Sequence, residues 1–348
     1  MRVVEGMGRV RGWLIRGVVA SVMLLAVAAA RSETCTTQSA MTATDRDALV
    51  EAVRGLAEKI QTGDADGVHA ATVPEYAKDF GAIQGAVMST SAKLKGATLI
   101  VDQVYLLDGS DLKRTADGSA PNSEFLCSLN HTIAEADFLI PSLPPGKYGF
   151  GIVEAQGGAA PWRLSFLLRQ DAGKWMMAGF YPTAMTAAGH DGLWYWTQGR
   201  AMLKGKEQWN AWLYFQQAEN LLSPVNFVQS THLEKLKSET TAAAPPAVSQ
   251  GVSADVPLVV KGKDGVDYYF TGIGTDDSLA KDKIDVTARL KVAAIGDPVA
   301  ARRRNANAMS ALLSAYPEMR KGFHGVWIFA ETPGQNPFAT EEAMTEIP

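Results

Sequence analysis

Gly192–Pro224, GLWYWTQGRAMLKGKEQWNAWLYFQQAENLLSP, reads as two helices folded back on each other. Small residues at Gly199, Ala211 and Ala218 fall where two antiparallel helices would touch, and Phe215 would fill the seam. Pro224 lacks an N–H and clashes with the preceding turn, so it stops the second helix. The aromatic residues Trp194, Tyr195, Trp196, Trp209, Trp212 and Tyr214 give the pair more apolar area than one seam can cover. The remaining face must pack on the preceding domain, on the C-terminal region or on another chain. Such a hairpin packs and presents surface; it carries no chemistry.

Upstream, Thr44 and Asp47 form a candidate capping box, followed by Leu49, Val50, Val53, Leu56, Ala57 and Ile60 at helical spacing, with Gly63 as the stop. Residues 64–96 read as shorter helices with Phe80, Ile83 and Met88 as core candidates. After Gly96 the period changes to two. Strands are expected at Thr98–Leu107, Glu124–Leu129, Lys147–Ala155, Trp162–Arg169 and Lys174–Tyr181, the last two joined through Asp171-Ala172-Gly173. Helices followed by a run of antiparallel strands predict an α+β fold.

Downstream, residues 226–237 suggest a third helix. Ser238–Ala254 (SETTAAAPPAVSQGVSA) reads as a linker by composition. Residues 255–348 read as a small C-terminal α+β module. Its expected strands are Val256–Val260, Asp267–Gly272, Lys283–Val292 and His324–Ala330. A helix is expected over Pro298–Tyr316, capped by Asp297, with Ala306, Met309, Leu313 and Tyr316 as its buried stripe, and a short terminal helix over Thr340–Glu346.

Two resemblances attach to these patterns. The long first helix, the Gly63-Asp64 step and the closing strands WRLSFLLRQDAGKWMMAGFYP make residues 42–185 resemble the nuclear transport factor 2-like fold. That resemblance implies a curved antiparallel sheet wrapping the long helix into a cone, a scaffold shared by small-molecule enzymes and structural binding domains. The positions of Gly199, Ala211, Phe215, Ala218 and Pro224 make residues 190–237 resemble a single tetratricopeptide repeat. One such repeat cannot bury both of its faces without a neighbour.

The N-terminus reads as a targeting segment. Arg2, Arg9, Arg11 and Arg16 precede the apolar run Val18–Ala30, which ends in small residues suited to cleavage near Ala30. The run falls short of the roughly 20 residues a membrane span needs, so residues 1–30 are expected to be a secretory signal peptide, with an uncleaved anchor as the alternative. Ser32-Glu33-Thr34-Cys35 lacks the aliphatic and small residues that precede a lipidated cysteine. Export to the periplasm or the outside makes Cys35 and Cys127 a disulfide candidate, two buried thiols being the alternative. The formal charge is −4; cleavage would remove four arginines and one glutamate and leave −7. An acidic mature chain argues against nucleic acid and anionic membranes as partners, and no later run is long enough to span a bilayer.

No catalytic signature is present. His69, His131, His190, His232 and His324 show no metal-ligand spacing, and no HExxH motif or nucleophile elbow occurs. No metal and no cofactor is expected. Asn130-His131-Thr132 matches a glycosylation sequon, and His131 with Asp137 could act as base and orienter in a hollow cone. Tyr148, Phe150, Ile152 and Glu154 share one strand face, so Tyr148 and Glu154 are ligand-pocket candidates, a solvated strand end being the plainer reading of Glu154. Arg302-Arg303-Arg304 near a helix start is a partner-surface candidate against the plainer reading of a solvated face. Asp276, Asp277, Asp282 and Asp285 do not match a calcium loop. The expectation is an exported cell-envelope binding or assembly protein that meets a protein partner through the hairpin or the C-terminal module. The alternative is a small-ligand carrier or an enzyme that uses the cone of the first domain.

Overall fold

The computed structural model describes residues 33–129, 134–278 and 282–348. The expected signal segment and His131 therefore lie outside the described residues. The architecture is α+β. It starts with the short strand β1 (Thr34–Thr37), then helices α1 (Ala43–Thr62), α2 (Ala65–Ala70), α3 (Pro74–Ala77) and α4 (Gly81–Lys93), then the long strand β2 (Thr98–Gly109). The cap of α1 is Thr42 and not Thr44: its hydroxyl accepts from Asp45 N–H at 3.1 Å and donates to the Asp45 carboxylate at 2.7 Å. Thr44 and Asp47 lie inside the first turns, because the Thr42–Asp45 pair satisfies the same orphan amide two residues earlier. At the other end Gly63 takes φ 73° and closes the helix.

The apolar stripe of α1 is as expected: Leu49, Val53, Leu56, Ala57 and Ile60 are buried. It lies against a five-stranded antiparallel sheet that opens with β1 beside β2. The three-stranded sheet set against the other face begins with β3 (Ser123–Ser128) and β4 (Glu135–Ile140). β5 (Gly146–Gln156), β6 (Trp162–Asp171) and β7 (Lys174–Ala184) complete the first sheet. The β6–β7 turn has Ala172 and Gly173 both at positive φ, a tight hairpin turn whose twist suits the strands. Gly149 and Gly151 on β5 face α1. A Cβ at Gly149 would collide with Leu49, and one at Gly151 with Val53, so the two glycines allow the helix to sit directly on the sheet. The space between helix and sheet is filled by side chains, among them Val104, Val153, Leu164, Phe166 and Leu168.

A two-residue pair, β8 (Thr186–Ala187) and β9 (His190–Asp191), leads into the helical hairpin α5 (Gly192–Lys204) and α6 (Gln208–Leu222). The seam is close: a Cβ at Gly199 would lie 2.6 Å from two Phe215 ring carbons and 3.2 Å from the Ala211 carbonyl oxygen. The chain then returns to the first domain. β10 (Val228–Ser230) pairs with β4, giving a three-stranded sheet β10-β4-β3. Tyr105, Leu107, Tyr148 and Phe150 of the large sheet meet Phe125, Phe138 and Ile140 of the small one in a second core. Cys35 on β1 and Cys127 on β3 form a disulfide between the two edge strands, with Cα atoms 5.2 Å apart.

Residues 226–237 thus hold a strand before a helix. That helix, α7 (Thr231–Ala243), runs into the segment expected as a linker. Leu236, Thr240 and Ala243 are buried, the Gln208 side chain donates to Ala244 O at 3.1 Å, and Val248 is buried as well. The alanines and threonines that gave 238–254 its linker composition supply a small-residue helical stripe, and burial of that stripe overrides the composition.

The C-terminal region forms β11 (Leu258–Lys261), β12 (Asp267–Asp276), β13 (Asp285–Lys291), α8 (Pro298–Ala315), α9 (Met319–Gly322), β14 (Gly325–Glu331) and β15 (Phe338–Ala343). The sheet order is β11-β12-β13-β14-β15, antiparallel except for β13–β14, which α8 connects. Thr340–Ala343, expected as helix, is edge strand because it pairs with Gly325–Ile328 of β14. The buried residues of α8 are Ala301, Asn305, Ala308, Met309, Ala311, Leu312 and Leu313, so Ala306 and Tyr316 sit at the margin of the stripe. The hairpin packs on this region. Tyr195, Trp209 and Phe215 share one core with Phe270, Val286, Met319 and Ile328. Polar ties reinforce the contact: Trp209 N–H donates to Glu318 Oε1 at 2.6 Å, and Tyr214 Oη donates to Gly322 O at 3.0 Å.

Candidate functional site

A concavity lined by Tyr148 opens between the large sheet and the connection from β4 to β5. Its volume is about 440 Å³, within the range of small-ligand pockets. Strand alternation places Tyr148 and Leu167 on the sheet face away from α1, and the turn Ser142-Leu143-Pro144 closes over them. Tyr148 is 2 % exposed and donates its hydroxyl to Pro144 O at 2.7 Å. Burial pushes this phenol up to about 12, so it stays neutral and acts as a fixed wall and donor, far from the range of a working acid or base.

Tyr181 and Phe227 form the next wall, edge to face at 5.4 Å. Phe227 arrives from the segment that follows the helical hairpin, so the cleft is completed by a residue 79 positions from Tyr148. Burial also raises the Tyr181 phenol. At one end, Arg169 makes two 3.0 Å hydrogen bonds to the carboxylate of Glu75, and Asp171 lies 3.6 Å away. The fork from Arg169 holds Glu75 below the usual carboxylate range, and Glu75 raises Arg169 in return. Tyr76 and Leu139, both about half exposed, stand on the rim. The result is an apolar, aromatic trough with a paired charge at one end.

The remaining candidates lie elsewhere. Glu154 sits toward the far end of β5, opposite Arg163 on β6, and accepts from Gln156 Nε2 at 2.8 Å. Burial, followed by the charge of Glu154, raises Asp102 nearby, while burial lowers Arg163. Arg163 donates to Leu221 O at 3.0 Å and Leu222 O at 3.3 Å, so this group anchors the C-terminus of α6 on the large sheet. Asp137 is registered between Leu126 and Gln229 on the face of the small sheet opposite Phe138. His131 lies outside the described residues, and so does any pairing of it with Asp137. Arg302 and Arg303 are exposed on α8, and Arg304 turns back to donate to Ala294 O and Ile295 O at 3.0 and 3.1 Å. Among the described residues no group of three or more His, Cys, Asp or Glu side chains is placed to hold a metal ion.

Sequence reading found Tyr148 through its strand face and missed Glu75, Arg169, Tyr181 and Phe227. The available signal was Arg169, two residues beyond Leu167 on one strand face. Its partner Glu75 lies 94 positions earlier. Compared with known proteins, the chain matches no family model, no curated protein and no solved structure.

Proposed function

We propose that the chain is an exported, non-catalytic binding protein of the periplasm or the extracellular space, and that the Tyr148 cleft receives a small amphipathic ligand. The observation that carries this reading is the cleft itself: an apolar trough of about 440 Å³ with the Arg169–Glu75 pair at one end. An apolar body would lie against Tyr148, Leu143 and Phe227, and a polar head would reach the guanidinium. Export is supported by the arginine-led apolar run before Ala30 and by the Cys35–Cys127 disulfide. In the nuclear transport factor 2-like reading of residues 42–185, binding at this cleft replaces binding in the cone, because the helix–sheet interior is filled. In the tetratricopeptide-like reading of 190–237, the hairpin is a structural brace: Tyr195, Trp209 and Phe215 are spent in the core shared with the C-terminal sheet.

The test uses 1-anilinonaphthalene-8-sulfonate, an apolar ring system with an anionic head. Stoichiometric, saturable dye binding to the native protein is expected, and Ala178→Phe, which adds a ring to the cleft lining, should weaken it at least tenfold. Dye binding unchanged by that substitution would remove the cleft from the account.

A further inference from the structure

A second groove, of about 430 Å³, lies between the helical hairpin and the C-terminal sheet and is separate from the Tyr148 cleft. His324 lines it, with its Nδ1 3.1 Å from Asp285 Oδ1. Asp285 is 1 % exposed, and its other oxygen is buried with no hydrogen-bond partner among the described residues. Removing a carboxylate from water to this degree is costly unless it is well paired. Among the described residues its side-chain hydrogen-bond partner is a histidine on the wall of a groove, an arrangement met where an imidazole is being oriented for use. An ionised carboxylate can only accept, so Nδ1 carries the proton and Nε2 is left to meet whatever enters.

The other wall is aromatic. His190 stacks flat on Trp194 at 3.7 Å, and Trp194 meets Tyr195 edge to face at 5.0 Å. The rim carries both signs of charge. Lys283 is exposed, and Lys321 is exposed with Glu207 3.6 Å away. Arg320 is occupied by the carbonyls of Met344 and Ile347, Asp282 lies at the edge, and Glu341 lies close enough to interact electrostatically with His324 and Asp285.

We propose that this groove binds a phosphate monoester carried on a small planar ring, with the phosphate at His324 Nε2 and beside Lys283, and the ring against the His190–Trp194 stack. A phosphate monoester loses its second proton near neutrality, at about pH 6. One proton therefore serves the contact in either form: hydrogen phosphate donates to neutral Nε2, or imidazolium donates to the dianion. A carboxylate has no proton to offer neutral Nε2 at neutral pH and fits the site less well. Lys283 supplies charge for the second anionic oxygen.

The probe is phenyl phosphate, titrated into the full chain and followed by long-range ¹H–¹⁵N spectra of the histidines and by the Trp194 indole resonance. Saturable shifts at His324 Nε2 and Trp194 are expected. His324→Gln should weaken binding at least tenfold and Lys283→Ala about threefold, while Ala178→Phe in the other cleft should leave it unchanged. Inorganic phosphate should bind at least tenfold more weakly than phenyl phosphate, and benzyl alcohol should not saturate. The absence of a shift at His324 with millimolar phenyl phosphate would overturn the proposal. Affinity unchanged in both His324→Gln and Lys283→Ala would do so too, as would benzoate or benzyl alcohol binding as tightly as phenyl phosphate. Lys283 is exposed, so its variant keeps the test open should His324→Gln fail to fold.

Discussion

Replacing Gly199 with alanine sets two opposed effects against each other at one position. In a helix interior, alanine is favoured over glycine by about 1 kcal/mol. At Gly199 the new methyl would stand 2.6 Å from Phe215 Cδ1 and Cε1 and 3.2 Å from Ala211 O. Phe215 is fully buried, so its ring has no free volume to retreat into, and the Ala211 carbonyl belongs to helix backbone. Overpacking of this kind costs roughly 1–3 kcal/mol. The steric term meets or exceeds the propensity term, and Gly199→Ala is expected to destabilise by up to about 2 kcal/mol. Gly55 in α1 is the matched control: it also lies inside a helix, but an added Cβ meets nothing within 4 Å. Gly55→Ala should therefore stabilise by about 0.5–1 kcal/mol. Urea unfolding of the two purified variants and the parent gives both signs directly. If Gly199→Ala stabilises as much as Gly55→Ala, the two helices do not approach closely, and the brace reading of the hairpin fails.

Three further outcomes follow from other contacts. Intact protein should be two protons lighter than its reduced form, and replacing Cys35 and Cys127 with alanine should cost up to about 4–5 kcal/mol in the chain-entropy model for a closed loop of this length, with unchanged mass and stability as the contrary result. Glu239 accepts from Arg200 and from Trp196 Nε1 at 2.7 and 2.8 Å, and its carboxyl is held below its ordinary value, chiefly by Arg200. A depressed folded-state value stabilises above the ordinary carboxylate range and is lost as pH falls through the folded value, so Glu239→Gln should cost about 0.5–1 kcal/mol at pH 7 and nothing in strong acid, as read by unfolding at both pH values. Leu236→Ala, at a fully buried position of α7, should cost about 2–4 kcal/mol and open residues 231–254 to limited proteolysis, whereas a silent variant would restore the linker reading.

Legibility in the sequence tracked the range of the interactions. The stripe Leu49, Val53, Leu56, Ala57 and Ile60 is local, repeats every three or four residues, and was readable with its Gly63 stop. The long strands were readable from alternation and from turn residues. β1, with the sequence TCTT, carries no hydrophobic pattern; it is strand because β2 offers a free edge, with Cys35 registered opposite Leu107. The second half of α7, residues 238–243, was hidden because alanine and threonine serve both flexible linkers and closely packed helices, and only its neighbours show which applies. The cleft follows the same rule. Tyr148 was visible on its strand face, but Phe227, Arg169 and Glu75 are brought to it by the return of the chain through β10 and by the placement of α3, neither of which leaves a periodic trace. The Asp285–His324 pair spans 39 positions, from β13 to the residue before β14, and no spacing motif marks it.

The central claim is that the Tyr148 cleft binds. Methyl-resolved NMR of the protein titrated with 1-anilinonaphthalene-8-sulfonate tests it most directly, because the competing sites are separate. Val256, Val259 and Val266 are 44–50 % exposed on and beside β11 and would capture a dye that merely seeks apolar surface. The account predicts saturable shifts confined to the methyls of Leu139, Ile140, Leu143, Leu167 and Ala178, lost in Ala178→Phe. Shifts at the exposed valines with the cleft methyls unmoved would contradict it.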